Sequence, residues 1–370
     1  MRRAAVLDGY FGMHNAGDDA FCLVAARLLP ERLGFDRLAV VAAHDDLPIL
    51  PPLAKGLLPT TPLARGHVRA ATIAGKLRYR TVLHVGGSTL RRMNQRRRDE
   101  AGLQKTAHIS CHALGVSVGP FRNRTDERQI REFLKRFGSI SLRDRASYER
   151  SDAMSLDLPL RQAFDLAVLA PDRVPCPLPR GTRSRPRLGV ALRPFESIEG
   201  GNIETERVRV LRVLETLRAV AKLIDFELVL LAFNCHPTKG DVDLANMMAD
   251  ELEAVVPSSV VSYEGDVPSM LSAVAACDAV LAMRLHAGVF AYASGVPFAF
   301  INYHPKCQEF ADSVGLPQSL VFASDGSDLV CRAATVVELL TGDCPTLLPL
   351  KRARSMALEA FELLEAHLDN

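Results

Sequence analysis

The sequence reads as an α/β protein made of two Rossmann-like domains whose parallel sheets face a cleft. Three observations lead there. Short apolar runs alternate with stretches of helical periodicity through both halves of the chain. Those runs are continuously apolar, as strands covered on both faces must be. Residues 171–187 (PDRVPCPLPRGTRSRPR) hold five prolines and five arginines without apolar periodicity, so they break the chain near its middle. The expected layout is a first domain over 1–170, a linker over 171–187, a second domain over 188–346 and a C-terminal helix over 347–370.

The elements follow in order. Residues 4–7 (AAVL) run into a glycine loop and then a helical pattern over 19–29. Further strands are expected at 38–42, 81–85, 114–118 and 139–142. In the second half a strand at 187–192 precedes a helix over about 205–224, with Leu211, Leu214 and Leu217 expected on one face. Then come a strand at 226–233, a helix near 241–255, a strand at 259–263 and a helix near 267–276. A strand at 278–282, a short helix from 287 and a strand at 297–302 complete the pattern. Ala357, Phe361, Leu364 and Leu368 form an apolar stripe on the terminal helix.

Composition excludes several classes. Among 370 residues, 48% are hydrophobic, enough for sizeable cores, and 45 basic residues against 43 acidic ones leave a net charge of +2. A balanced sum gives no reason to expect nucleic acid as partner. No apolar run approaches the roughly 20 residues of a membrane span, and the apolar stretch after Arg3 is too short for a secretory leader. Eight cysteines without a CxxC pair point to reduced thiols in a cytoplasmic protein. His108, Cys111 and His112 have helical ligand spacing but lack a fourth partner, so no metal is expected.

In open parallel sheets, ligands bind beyond the carboxyl ends of the strands, and there the sequence is rich in Gly, Arg and His. Gly12 and Asn15, in the loop after the first strand, permit tight turns and close ligand approach, and Asp18 or Asp19 can cap the next helix. The spacing is not that of a dinucleotide site. Gly86, Gly87 and Ser88 end the strand at 81–85, and Arg143 with Arg145 follows 139–142. The sharpest signal is Met283-Arg284-Leu285-His286, between a buried strand and a helix start. Free N–H groups, a guanidinium and an imidazole meet there, a set suited to anions and proton transfer. Arg193, Asn234, His236, Tyr303, His304 and Lys306 reach comparable edges. Arg91, Arg92, Arg96, Arg97 and Arg98 read as a solvated loop, or as a contact for an anionic acceptor or membrane surface. Asp144, Asp165 and Asp266 read as caps or ion-pair partners. Such a cationic cleft in a nearly neutral protein selects a small, multiply charged anion.

Taken in order, GYFGMHNAGDDAF, GGSTL, GVSVGP, SLRDRASYE and MRLHAGVFAYASGVPFAFINYHPK resemble the polysaccharide pyruvyl transferase family, from Gly9 to about Leu316. The resemblance implies a GT-B-like pair of Rossmann-like domains in a cytoplasmic enzyme of polysaccharide biosynthesis. It implies phosphoenolpyruvate as co-substrate, with no other cofactor, and a saccharide acceptor on which a pyruvate ketal forms as phosphate leaves. The motif match carries donor binding to Arg284 and His286, with Arg193 or Arg143 as a further arginine. His286, as imidazolium, is expected to protonate the methylene carbon or support the departing phosphate. The sequence departs from the family at Val85-Gly86-Gly87-Ser88, where a third glycine and a nearby Asp are usual, and at Ser117, which replaces a glycine. Both lie in the first domain, the expected acceptor side.

Two other readings compete. One is a GT-B-type glycosyltransferase using a nucleotide sugar, for which Glu264, beside Gly265 and Asp266, is the visible acidic candidate. The other is a non-catalytic sugar-binding relative. The sequence leaves open the acceptor sugar, the ketal position, a lipid-linked acceptor, peripheral contact with the inner face of the cytoplasmic membrane, and homo-oligomerisation.

Overall fold

The computed structural model describes residues 3–60, 66–171 and 184–368. Most of the expected linker, 172–183, lies outside the described residues. The chain divides into two compact units. The first comprises Met1–Met13, Asp18–Ala170 and Lys351–Asn370, and the second His14–Gly17 and Pro171–Leu350.

The first unit holds seven strands: β1 (Arg3–Asp8), β2 (Phe35–Ala43), β3 (Ala54–Leu58), β4 (Thr81–Val85), β5 (Ser110–Val116), β6 (Ser139–Leu142) and β7 (Leu160–Gln162). They pair in parallel, in the order β3-β2-β1-β4-β5-β6-β7. The central strands are legible because nearly every residue is buried, as in β4 and β6. Helices cross back between them, and asparagine or aspartate side chains start several. Asn94, Asn123 and Asp144 accept hydrogen bonds from the N–H groups of Arg97, Asp126 and Ser147.

Four expectations about this unit and its terminal helix change. The strand expected at 114–118 begins at Ser110, so Cys111 and His112 lie in a strand and not on a helix. The hydroxyls of Ser110 and Ser139, each 2.9 Å away, engage the two ring nitrogens of His112. Burial, with His367 nearby, pushes the His112 imidazole down to about 4. The arginine run is not a loop throughout, because Gln95–Thr106 is a helix and Arg96 and Arg97 are half-buried. The terminal helix spans Leu350–Glu365, buries Ala353, Ala357, Ala360, Phe361 and Leu364, and leaves Leu368 half-exposed.

The second unit carries β8 (Arg187–Ala191), β9 (Glu227–Ala232), β10 (Ser258–Ser262), β11 (Ala279–Ala282), β12 (Phe298–Ile301) and β13 (Val321–Phe322). Again all pairs are parallel, in the order β10-β9-β8-β11-β12-β13. Phe233 and Phe290 pack edge to face at 5.4 Å, as do Phe298 and Phe300. Each such burial contributes about 1.5–3 kcal/mol. On the helix Ile203–Ala221, Leu214 and Leu217 are buried but Leu211 is exposed, because a spacing of three drifts off the buried stripe. Among the described residues no helix is long and apolar enough to cross a membrane.

Candidate active site

In each sheet the connections reverse direction at one point, between β1 and β4 in the first unit and between β8 and β11 in the second. Ligands favour the crevice at such a switch point. In the second unit it is flanked by Arg193, two residues beyond β8, and by Met283–His286, directly after β11. The N–H groups of Met283 and Arg284 both donate to the carbonyl of Ala191, which fixes the turn to the end of β8. Arg284 then opens the helix Leu285–Ala293 with no side-chain cap on its first N–H groups.

Arg284 is buried, and its guanidinium is held by Asp241, to which Nε and Nη2 both donate. Its Nη1 has no hydrogen bond among the described residues. Asp241 also accepts from the backbone N–H of Asn234 at 3.0 Å, which folds the loop after β9 against the turn. Burial raises the Asp241 carboxyl above its ordinary value, although Arg284 works in the opposite direction. Asn234 Oδ1 accepts from the N–H of His236.

Arg193 is held differently. Its Nη2 donates to Glu199 at 2.6 Å and its Nη1 to the hydroxyl of Tyr303 at 3.3 Å, while the guanidinium carbon lies 5.1 Å from the Phe195 ring centre and 5.6 Å from that of Tyr303. Burial opposes its charge, but Tyr303 and Glu199 outweigh burial and raise its pKa. Lys306 Nζ also stands 5.6 Å from the Tyr303 ring centre, and His304 caps the next helix by accepting from the N–H of Lys306. Arg193, Tyr303, His304 and Lys306 thus form one cationic and aromatic cluster. Asn15 joins this unit too, through an antiparallel bridge to Asn234.

The first unit's edge carries the remaining candidates. Arg143 is buried and donates to Ser117 Oγ at 2.7 Å, Ser88 Oγ at 3.1 Å and Asp165 at 3.2 Å. Gly86 and Gly87 have φ of 60° and 71°, which lets the Ser88 loop turn sharply beneath it. Asp18 Oδ1 approaches Gly87. Gly12 donates its N–H to Asp19, which makes it a turn residue. Asp144, Asp165 and Asp266 all serve as caps, and Asp165 pairs with Arg143 as well.

Asp8, His84 and Glu100 bring three metal-type ligand atoms within 4.8 Å of one another, all buried. The Lys76 ammonium lies between the two carboxylates, 2.7 Å from Asp8 and in contact with Glu100, where a cation would sit. Arg96 pairs with the other Asp8 oxygen at 2.5 Å. Burial opposes ionisation of both acids. Arg96, Lys76 and His84 prevail over it at Asp8, and His84 and Lys76 at Glu100, so both carboxyls lie well below their ordinary range. A cavity of about 320 Å³ opens beside this cluster, lined by Val68, Ile73, Leu103, Lys76, Arg96 and Glu100 among others.

Sequence reasoning missed Asp241, Phe195 and the buried quartet of Asp8, Lys76, His84 and Glu100. The only hint of Asp241 was its position after Gly240 at a helix start, which reads as an ordinary cap.

The structure is thus a protein of two Rossmann-like units, the second with a cationic switch point. The sequence matches the polysaccharide pyruvyl transferase family over residues 15–305, and the chain belongs to that family. No curated protein matches the chain in sequence. Similar solved structures include the UDP-GlcNAc 2-epimerase of Methanocaldococcus jannaschii, 11% identical with a TM-score of 0.64, covering 99% of this chain and 100% of that one. The UDP-GlcNAc 2-epimerase of Neisseria meningitidis, bound to UDP-GlcNAc, is 11% identical with a TM-score of 0.61 and full coverage of both chains. A lipopolysaccharide outer core galactosyltransferase, WaaB, is 10% identical with a TM-score of 0.54, again covering both chains fully. At such identities the likeness is one of GT-B-type fold.

Proposed function

We propose that the chain transfers the three-carbon unit of phosphoenolpyruvate to two hydroxyls of a saccharide, forming a cyclic pyruvate ketal and releasing phosphate. The observation that carries this reading is the β8/β11 switch point with Arg193, Arg284 and His286 on its two sides. Phosphoenolpyruvate is a small anion with a carboxylate and a phosphate, and such groups suit guanidinium forks and a helix N-terminus.

Arg193 and Lys306 hold one anionic group, and Arg284 Nη1 with the first N–H groups of Leu285–Ala293 holds the other. His286, as imidazolium, gives its proton to C3, so the methylene becomes a methyl while one sugar hydroxyl adds to C2 and passes its proton to the imidazole, which restores the imidazolium. The C2–O bond to phosphate breaks, and phosphate departs with the electron pair. The second hydroxyl then adds to C2 and closes the ring, its proton leaving with phosphate. The arginines offset charge as C2 becomes cation-like. We assign the acceptor to the first unit, where Arg143 orders Ser88 and Ser117, and place the enzyme in the cytoplasm.

The test is phosphate release from phosphoenolpyruvate in the presence of hexosides with paired free hydroxyls, free and on a short isoprenyl diphosphate. His286→Ala should lower turnover by about 10²–10⁴-fold. A His286→Ala protein with full activity, or release of UDP or GDP from nucleotide sugars in place of phosphate, would overturn the reading.

A further inference from the structure

The short segment His14–Gly17 comes from the first half of the chain but is built into the second unit. Two backbone hydrogen bonds hold it there. Ala16 N–H donates to Phe233 O at 2.9 Å and Cys235 N–H donates to His14 O at 2.8 Å, and together they make the antiparallel bridge between Asn15 and Asn234. His14 has φ of 53°, a left-handed conformation uncommon for a side chain of its size, and Asn15 Oδ1 accepts from the N–H of Gly17 at 3.1 Å. The segment is thus fixed from both sides, and Gly17 faces His286.

No side chain fits at Gly17. A Cβ there would overlap His286 Nδ1 and Cγ and stand 2.7 Å from His286 Cβ. Rotating the imidazole would relieve the overlap with the ring but not the contact with His286 Cβ, so the backbone itself would have to move. Gly17 is in the first turn of the helix Ala16–Leu33, where alanine favours helix over glycine. Local propensity therefore argues for alanine and the imidazole argues against it. We infer that Gly17 is a positioning residue: its bare Cα is the surface on which the His286 ring rests, and His14–Gly17 is part of the wall of the donor site. The assignment of His286 to catalysis rests on the function proposed above, whereas the contact does not.

The test uses the full-length chain with ¹³C,¹⁵N-histidine, the His286 signals being identified by their loss in His286→Ala. Gly17→Ala should displace the His286 imidazole signals and leave those of His112, in the other unit, in place. With phosphoenolpyruvate and the hexosides, turnover should fall by about 100-fold, the scale of a 1 Å misplacement. The pH profile should move while KM for phosphoenolpyruvate changes little. In a His286→Gly background, which removes Cβ as well as the ring, Gly17→Ala should cost nothing further, and where Gly17→Ala alone does not fold, the double variant should. Unmoved His286 signals, an equal loss in the His286→Gly background, or a His286→Gly double variant that still does not fold would overturn the inference. Failure of the phosphoenolpyruvate chemistry alone would leave the imidazole displacement intact.

Discussion

The two switch points of the molecule spend their positive charge differently. At β1/β4, Lys76 and Arg96 are neutralised by the buried acids Asp8 and Glu100, and further along that edge Arg143 is tied to Asp165 and two serines. At β8/β11 one guanidinium, Arg284, is likewise paired with the buried Asp241, but Arg193 pairs with the exposed Glu199 and otherwise lies over aromatic rings, and Lys306 lies over Tyr303. A buried ion pair has already exchanged water for its partner, so a ligand gains little by approaching it. A guanidinium propped on aromatic faces keeps its charge for an incoming anion. A count of basic residues along the sequence cannot separate these two cases.

The largest effects should come from breaking the buried pairs. Lys76→Met leaves Asp8 and Glu100 with fewer cations and should cost about 3–5 kcal/mol of unfolding free energy by denaturant titration, without changing affinity for phosphoenolpyruvate in the folded fraction. Asp241→Asn should cost a similar amount and also weaken phosphoenolpyruvate binding, because Arg284 loses the carboxylate that aims it. Equal binding in both variants would erase the distinction between the two edges.

Acid should act next. Asp8 and Glu100 have lowered folded pKa values, so their contribution is present above the ordinary carboxylate range and is lost as pH falls through those values. Lys76 is raised above its ordinary value of 10.5, because Asp8 and Glu100 outweigh burial; its contribution is present below 10.5 and lost as pH rises past its folded value. His112 adds a separate acid limb. Its pKa falls from 6.5 to about 4, so the unfolded chain takes up a proton first and stability declines between those values. That decline should be about 3 kcal/mol, and His112→Gln should flatten it in urea titrations across the same range. The smallest effect belongs to Arg91, Arg92 and Arg98, all exposed. Replacing them with alanine should change stability by less than about 0.5 kcal/mol each.

Much of this architecture is legible in the sequence because central parallel strands carry unbroken apolar runs, as β4, β11 and β12 do. The edge strands β3 and β7 are not, since β7 (LRQ) is largely exposed and β3 includes Lys55 and Gly56. β13 is only two residues long. At the site, Arg284 and His286 stand out because a turn between a buried strand and a helix is where ligands gather. Glu100 and Lys76 do not stand out, because a charged residue on a polar helix looks solvent-exposed until the tertiary fold buries it. Gly17 reads as one more loop glycine. Its reason for being bare is an imidazole almost 270 positions further along the chain.

The central claim, that Arg193 at β8/β11 receives the donor, is tested most directly by melting temperature with phosphoenolpyruvate, pyruvate, phosphate, UDP or GDP added singly to the wild-type protein and to Arg193→Ala. A ligand at 100 times its Kd stabilises the native state by about 2.7 kcal/mol. Phosphoenolpyruvate should give the largest rise in the wild type, and that rise should shrink in Arg193→Ala. A rise with UDP or GDP but none with phosphoenolpyruvate, or an undiminished phosphoenolpyruvate shift in Arg193→Ala, would contradict it.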